Sequence, residues 1–420
     1  MPINIHPAAI TRSSDPLNPI LPIHITSSQS ETPQKISKSH LAHLQCSEFG
    51  ILPALASHSL LFKTLSANTW TNVPPILNLI FWFIAIAGGT VALVAYWLKI
   101  WKYPKVVKWE MLHPLRHNDY YLILIGLFLM VLAYPSHYFG QPTLEPIWWI
   151  LTAMQLGLSA YVYGERLHQV DEIGGNQYGY RNVYPSYLFT LVGWFLSTSL
   201  GADANQNELS LWVFLIGSFY WILLYVSLYQ NLGRARASMY HTKTGPLLFL
   251  IMAPSAVATI AWSKVQGGFK GDGSDGTDNF GLIGRFYFFN SIAAVVLVLR
   301  TSRSLLASRS AALPWWASVF PTVAVAMAWI EYYKVIHTPV VRGFTWLFCA
   351  IAWVVLVFTI VRIGTATVTG TLVADPVLDK ELEYVEAQAG GGSSGETVGA
   401  GGNGEEVREE EGSGPHREPL

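Results

Sequence analysis

Charge is scarce in this 420-residue chain: 13% of its residues are Asp, Glu, Lys or Arg, against about 25% in an ordinary soluble domain. Cysteine is scarcer still. Cys46 and Cys349 supply neither a disulfide framework nor metal-ligand spacing, so no metal site is expected. Residues 1–45 are polar, rich in Ser, Pro, Thr and His, and hold no continuous apolar stretch, so no secretory signal peptide is expected. There is no phosphate-binding loop, no nucleophile elbow and no histidine-rich box. These absences argue against an enzyme. No cofactor and no nucleic-acid partner are expected.

Apolar residues, by contrast, make up 51% of the chain, with sixteen Trp, twenty Tyr and twenty Phe. A bilayer asks for this composition: runs of roughly 20 apolar residues, with Trp and Tyr at the interfaces. Ten such runs lie near residues 49–65, 75–101, 120–134, 145–163, 184–200, 209–229, 246–263, 280–300, 313–334 and 343–363. The first, third and fifth are short for a full crossing.

Charge is distributed unevenly. From residue 371 onward there are twelve acidic and three basic residues. The body before it carries a net +8, and the tail, which includes Gly390–Gly395 and Glu409–Glu411, carries −9. The composition predicts a disordered acidic tail over 371–420, a disordered N-terminal tail over 1–45 and a membrane domain over 46–365. Loops after even-numbered runs hold thirteen basic residues, among them Lys99, Lys102, Lys105, Lys108, Arg116, Arg234, Arg236 and Arg300. The other side holds five: Lys63, Lys264, Lys270, Lys334 and Arg342. The positive-inside rule places the richer side and both termini in the cytoplasm.

The odd-numbered runs share a pattern. Pro254 to Trp262 and Pro321 to Trp329 each run proline to tryptophan in eight steps, with a hydroxyl directly after the proline and Ala-Trp at the end. The fifth run opens on Pro185-Ser186 and reaches Trp194; the first contains Pro53-Ala54, then Ser57 and His58. Proline within a helix removes one donor and frees the carbonyl four residues back, at Leu250 for Pro254 and Ala317 for Pro321. In hydrocarbon such a carbonyl must face protein or water. The breaks therefore point to a common interior, and Ser255 and Thr259 fall on one helix face. Small residues there serve a pore lining or close helix packing equally well. No fixed charge stands at the middle of any run. That argues against a carboxylate-relay pump and for a passive path selected by diameter, hydroxyls, dipoles and an apolar constriction. The loop Lys99 to Arg116 would give such a path a basic mouth that concentrates anions, or its charges serve only to set the topology. His58 reads as a packing histidine or a titrating pore group. His113 and His117 stand four apart, but Pro114 interrupts them. Glu331 is expected to pair with Lys334 or to face the interface.

Several segments carry a family resemblance. They are Phe49-Gly-Ile51, Ser57 to Leu65, Pro75 to Trp82, Lys108-Trp-Glu-Met-Leu-His-Pro-Leu-Arg116, Val226 to Gln230, Ala253-Pro-Ser-Ala256 with Ile260-Ala-Trp262, and Trp315-Trp-Ala-Ser-Val-Phe-Pro-Thr322. In this order the chain resembles the plant slow-type (S-type) anion channels of the tellurite-resistance and dicarboxylate transporter superfamily. The resemblance implies an all-α membrane protein with ten transmembrane helices as five hairpins around a central pore, odd helices inside and even helices outside. It implies a plasma-membrane homotrimer with one pore per subunit, passing small anions such as chloride and nitrate. Phe320 would occlude the pore. Candidate lining residues are Ser57, His58, Pro254, Ser255, Thr259, Pro321 and Thr322, with Lys105, Lys108 and Arg116 at the cytoplasmic mouth. A regulatory protein kinase acting on the termini is a further implied partner. The alternatives are a malate/C4-dicarboxylate or sulfite carrier of the same superfamily, and a membrane enzyme or sensor that transports nothing.

Overall fold

The computed structural model describes residues 44, 46–112, 116–140, 142–172, 185–241, 245–270, 280–307 and 315–369. Both expected tails, and His113 with Pro114, lie outside the described residues. Twelve α-helices and no strand occur among those described. They are α1 (Ile51–Ser66), α2 (Ile76–Lys102), α3 (Pro104–Leu112), α4 (Tyr121–Leu132), α5 (Ser136–Phe139), α6 (Leu144–Glu172), α7 (Leu188–Asp203), α8 (Asn207–His241), α9 (Ala253–Lys270), α10 (Gly281–Ala307), α11 (Trp316–Tyr333) and α12 (Pro339–Val368). Each of the ten apolar runs falls on one of these helices. The short α3 and α5 lie between runs.

Two populations separate by burial. α1, α4, α7, α9 and α11 are buried along most of their length. They touch in sequence: α1 packs on α4, α4 on α7, α7 on α9, α9 on α11, and α11 back on α1. The contacts close a ring. Each ring helix also carries an outer neighbour: α2 on α1, α6 on α4 and more extensively on α7, α8 on α7, α10 on α9 and α12 on α11. The partners turn large apolar side chains outward, such as Trp97, Trp101, Phe219, Leu282 and Val354. Five segments are long and apolar enough to cross a membrane: 76–102, 207–230, 245–269, 281–301 and 339–368.

The ring helices are short for a physical reason visible at their starts. Tight 3₁₀ turns precede four of them: Cys46–Gly50 before α1, Arg116–Tyr120 before α4, Pro185–Tyr187 before α7 and Gly245–Met252 before α9. A 3₁₀ turn rises about 2.0 Å per residue against about 1.5 Å in an α-helix.

The prolines divide accordingly. Pro185 opens a 3₁₀ turn, and Pro53 and Pro254 lie in the first turn of α1 and α9, directly after the 3₁₀ turns that precede them. Pro321 alone lies inside a described α-helix, the sixth residue of α11. The expected series of equivalent mid-helix breaks is thus corrected to one interior break, at Ala317 and Pro321, and a set of helix starts.

Close packing holds the ring together. A Cβ placed on Gly126 of α4 would fall 2.5 Å from the Leu52 side chain of α1. One on Gly201 of α7 would fall 2.3 Å from Ser210 Oγ and 2.6 Å from the Trp148 indole. These glycines let helices approach where any side chain would hold them apart.

Candidate pore

Phe320 is buried at 3% exposure, immediately before Pro321. Around it α11 presents Thr322, Ala324, Ala326 and Ala328, all buried. Pro321 removes the amide that would bond to the Ala317 carbonyl. Ser318 Oγ donates to the Trp315 carbonyl at 2.7 Å, and Thr322 Oγ1 to the Val319 carbonyl at 2.7 Å, on either side of that gap.

The other expected lining residues behave alike. Ser57 Oγ donates to the Ala54 carbonyl at 2.9 Å. Thr259 Oγ1 donates to the Ser255 carbonyl at 2.9 Å. Ser255 Oγ points towards the Tyr225 hydroxyl of the outer helix α8, 3.4 Å away. These hydroxyl protons are engaged by neighbouring oxygens, mostly one turn back on their own helices. What the ring offers an anion from these residues is therefore small size and low polarity, not free O–H donors.

His58 is fully buried on α1. Its Nδ1 lies 2.9 Å from the Ala54 carbonyl, and its ring packs against Phe81 of α2 and Trp353 of α12. Of the two sequence alternatives this geometry is that of the packing histidine, turned towards the outer helices. The tryptophans that end the proline patterns also face outward. Trp262 meets Phe214 of α8, and Trp329 stacks on Phe344 and Phe348 of α12.

At the end of the ring where α1 begins, the expected basic mouth holds a buried ion cluster. Lys99, fully buried, donates to Glu110 Oε1 at 2.6 Å and to the Leu44 carbonyl at 2.5 Å. Tyr96 donates to Glu110 Oε2 at 3.1 Å and shares a 2.8 Å hydrogen bond with Tyr120. Arg116 Nη1 stands 4.0 Å from Glu110 Oε1. Burying a cation requires such a partner. Asp119 lies in the same turn as Arg116. Withdrawal from water pushes its carboxyl up to about 7; nearby Arg116 opposes this and Glu110 adds to it. Of the predicted mouth residues, Lys108 is exposed on α3 and Arg116 joins the cluster, while the Lys105 side chain lies outside the described residues. The roles of Lys99 and Glu110 escaped the sequence reading, because hydropathy records a lysine at a helix end as topogenic. The one available signal was Glu110 itself, six residues before Arg116.

At the opposite end Glu331 Oε1 pairs with Lys334 at 2.6 Å, as expected, and Glu331 Oε2 accepts from Ser263 Oγ at 2.9 Å.

Residues 43–365 match the voltage-dependent anion channel family. The chain belongs to this family. It is 28% identical over 313 residues to the S-type anion channel SLAH3 of Arabidopsis thaliana, covering 74% of this chain and 46% of that protein. It is 27% identical over 295 residues to SLAH2, covering 70% and 53%. To SLAH1 it is 24% identical over 359 residues, covering 83% and 88%. The chain spans about half the length of SLAH2 and SLAH3. As a member of this channel family it is a multi-pass membrane protein and not an enzyme.

Proposed function

We propose that the chain conducts small inorganic anions, chloride and nitrate among them, through a path along the axis of the five ring helices. The observation that carries this reading is the closed contact cycle α1–α4–α7–α9–α11. Its small or neutral side chains impose no charge barrier mid-membrane. In this reading ten helices span the bilayer as five inner–outer pairs. Their two ends differ in basic charge so that both termini lie in the cytoplasm of a plasma-membrane protein.

Phe320 is the gate of that path. Its ring is fixed on a helix that Pro321 has relieved of one hydrogen bond, so the backbone beside the ring yields more easily than elsewhere in α11. Because the neighbouring hydroxyls already donate to oxygens within the protein, selection rests on diameter and end charge, which discriminate poorly among small monovalent anions. Lys108 and Arg116 lie on the cytoplasmic side, with Lys105 beside them in sequence. Assembly as a trimer and control by a kinase acting on the tails complete the proposal.

Whole-cell recording with anion substitution tests it. Phe320→Ala is expected to pass steady anion current under conditions that hold the wild type closed. Wild-type gating in that variant would remove the gate assignment. Saturable, proton-coupled uptake with little ohmic current would replace the channel by a dicarboxylate carrier.

A further inference from the structure

The end of the ring away from Lys99 and Glu110 gathers charge from four of the five ring helices. Lys63 stands in the last turn of α1, Asp203 closes α7, Lys264 lies near the end of α9, and Glu331 lies near the end of α11 beside Lys334. The carboxylates are engaged: Asp203 with Lys264, and Glu331 with Lys334 and Ser263. Lys63 is different. It has no carboxylate partner among the described residues, and its Nζ donates to the Leu132 carbonyl at the end of α4, 2.8 Å away.

The charges that act on Lys63 are Lys264 and Asp203. They belong to α9 and α7, which are not ring neighbours of α1; those are α4 and α11. Lys63, Lys264 and Asp203 therefore stand within electrostatic range of one another at this end of the ring. Lys63, Lys264, Lys334, Asp203 and Glu331 together sum to one positive charge, that of the lysine without a carboxylate partner.

We propose that this end is an anion-collecting vestibule, in which Lys63 recruits a small monovalent inorganic anion and Asp203 limits the recruitment by holding Lys264. The proposal rests on the channel reading above. A fixed charge at a low-dielectric mouth raises the local concentration of its counter-ion, and added salt removes the effect. The carbonyl of Leu132 leaves the ammonium charge uncancelled while fixing its position.

The purified full chain, reconstituted in planar bilayers under chloride gradients of either direction, provides the test. Lys63→Met is expected to lower current about 3- to 10-fold when chloride enters from the Lys63 end at low ionic strength. The deficit should close near 1 M salt, where the Debye length is about 3 Å. Lys63→Arg should behave as wild type, and Asp203→Asn should raise the same current. Equal current in Lys63→Met and wild type at low salt overturns the vestibule and leaves the channel standing. So does a loss that is the same from both sides at every salt concentration, which is the mark of a structural lysine. Wild-type protein without any anion current overturns the channel reading and the vestibule with it.

Discussion

α11 and α12 are adjacent in sequence, packed together and both strongly apolar, yet they live in different surroundings. α11 is buried from Ser318 to Glu331. In α12 the buried positions are few, Thr345, Cys349, Ala352, Leu356 and Thr359, spaced three or four apart as a single stripe. Hydropathy alone does not separate the two. What separates them is side-chain size: α11 alternates Ala, Val and Thr and admits neighbours on every side, whereas α12 turns Val354, Val357 and Val361 outward. A like contrast in burial holds between α1 and α2 and between α7 and α8. In a bilayer the hydrophobic effect does not sort inner from outer helices, so close packing does.

The largest expected effect would break this contrast. Lys99 belongs to an outer helix but is fully buried against Glu110. Glu110→Gln leaves that ammonium short of its counter-charge and is expected to cost about 3–5 kcal/mol, more than an ordinary outer-layer change. Replacing the pair together, Lys99→Met with Glu110→Leu, should recover most of the loss. Thermal unfolding in detergent measures both. If the single variant melts like wild type, the cluster is not a structural anchor.

Next in size is Gly126→Val. The new Cβ would meet Leu52 at 2.5 Å, with α1 and α4 fixed by their ring neighbours, so about 1–3 kcal/mol is expected. Gly157, on the outer helix α6, has no atom within 4 Å of such a Cβ. Gly157→Val at that position should be tolerated, and equal losses at the two glycines would erase the inner–outer distinction.

Much of this division was legible in sequence. The ten apolar runs predicted helices at the right places, and the Pro–Trp echo marked α9 and α11 as a related pair. What escaped was long-range. Nothing local in Cys46–Gly50 or Gly245–Met252 announces a 3₁₀ turn. Pro254 and Pro321 look equivalent as strings, but one begins a helix and the other interrupts one. His58 shows no direction in sequence; its contacts with Phe81 and Trp353 do. The ring itself, and the approach of Lys63 to Lys264 and Asp203, join helices far apart in the chain.

pH tests the charged cluster in another way. The Asp119 carboxyl holds its proton to about pH 7 in the folded protein, whereas an unfolded Asp releases it near pH 4. Between those values the folded state binds the extra proton, so stability falls as pH rises through about 4 to 7. Asp119→Asn should flatten this part of the profile, read as melting temperature against pH. A slope that survives the substitution would assign the proton elsewhere.

The smallest effect is expected on α12 itself. Val354 is 67% exposed, while Ala352, two residues away, is fully buried. Val354→Ala removes two methyl groups that touch lipid rather than protein, and should shift stability by no more than about 0.5 kcal/mol. Ala352→Leu, on the stripe that faces α11, should cost about 1–3 kcal/mol by overpacking. Two substitutions three ångströms apart along one helix axis thus test whether packing or apolarity decides the cost. A Val354→Ala loss as large as that of Ala352→Leu would mean that another surface covers the outer face of α12.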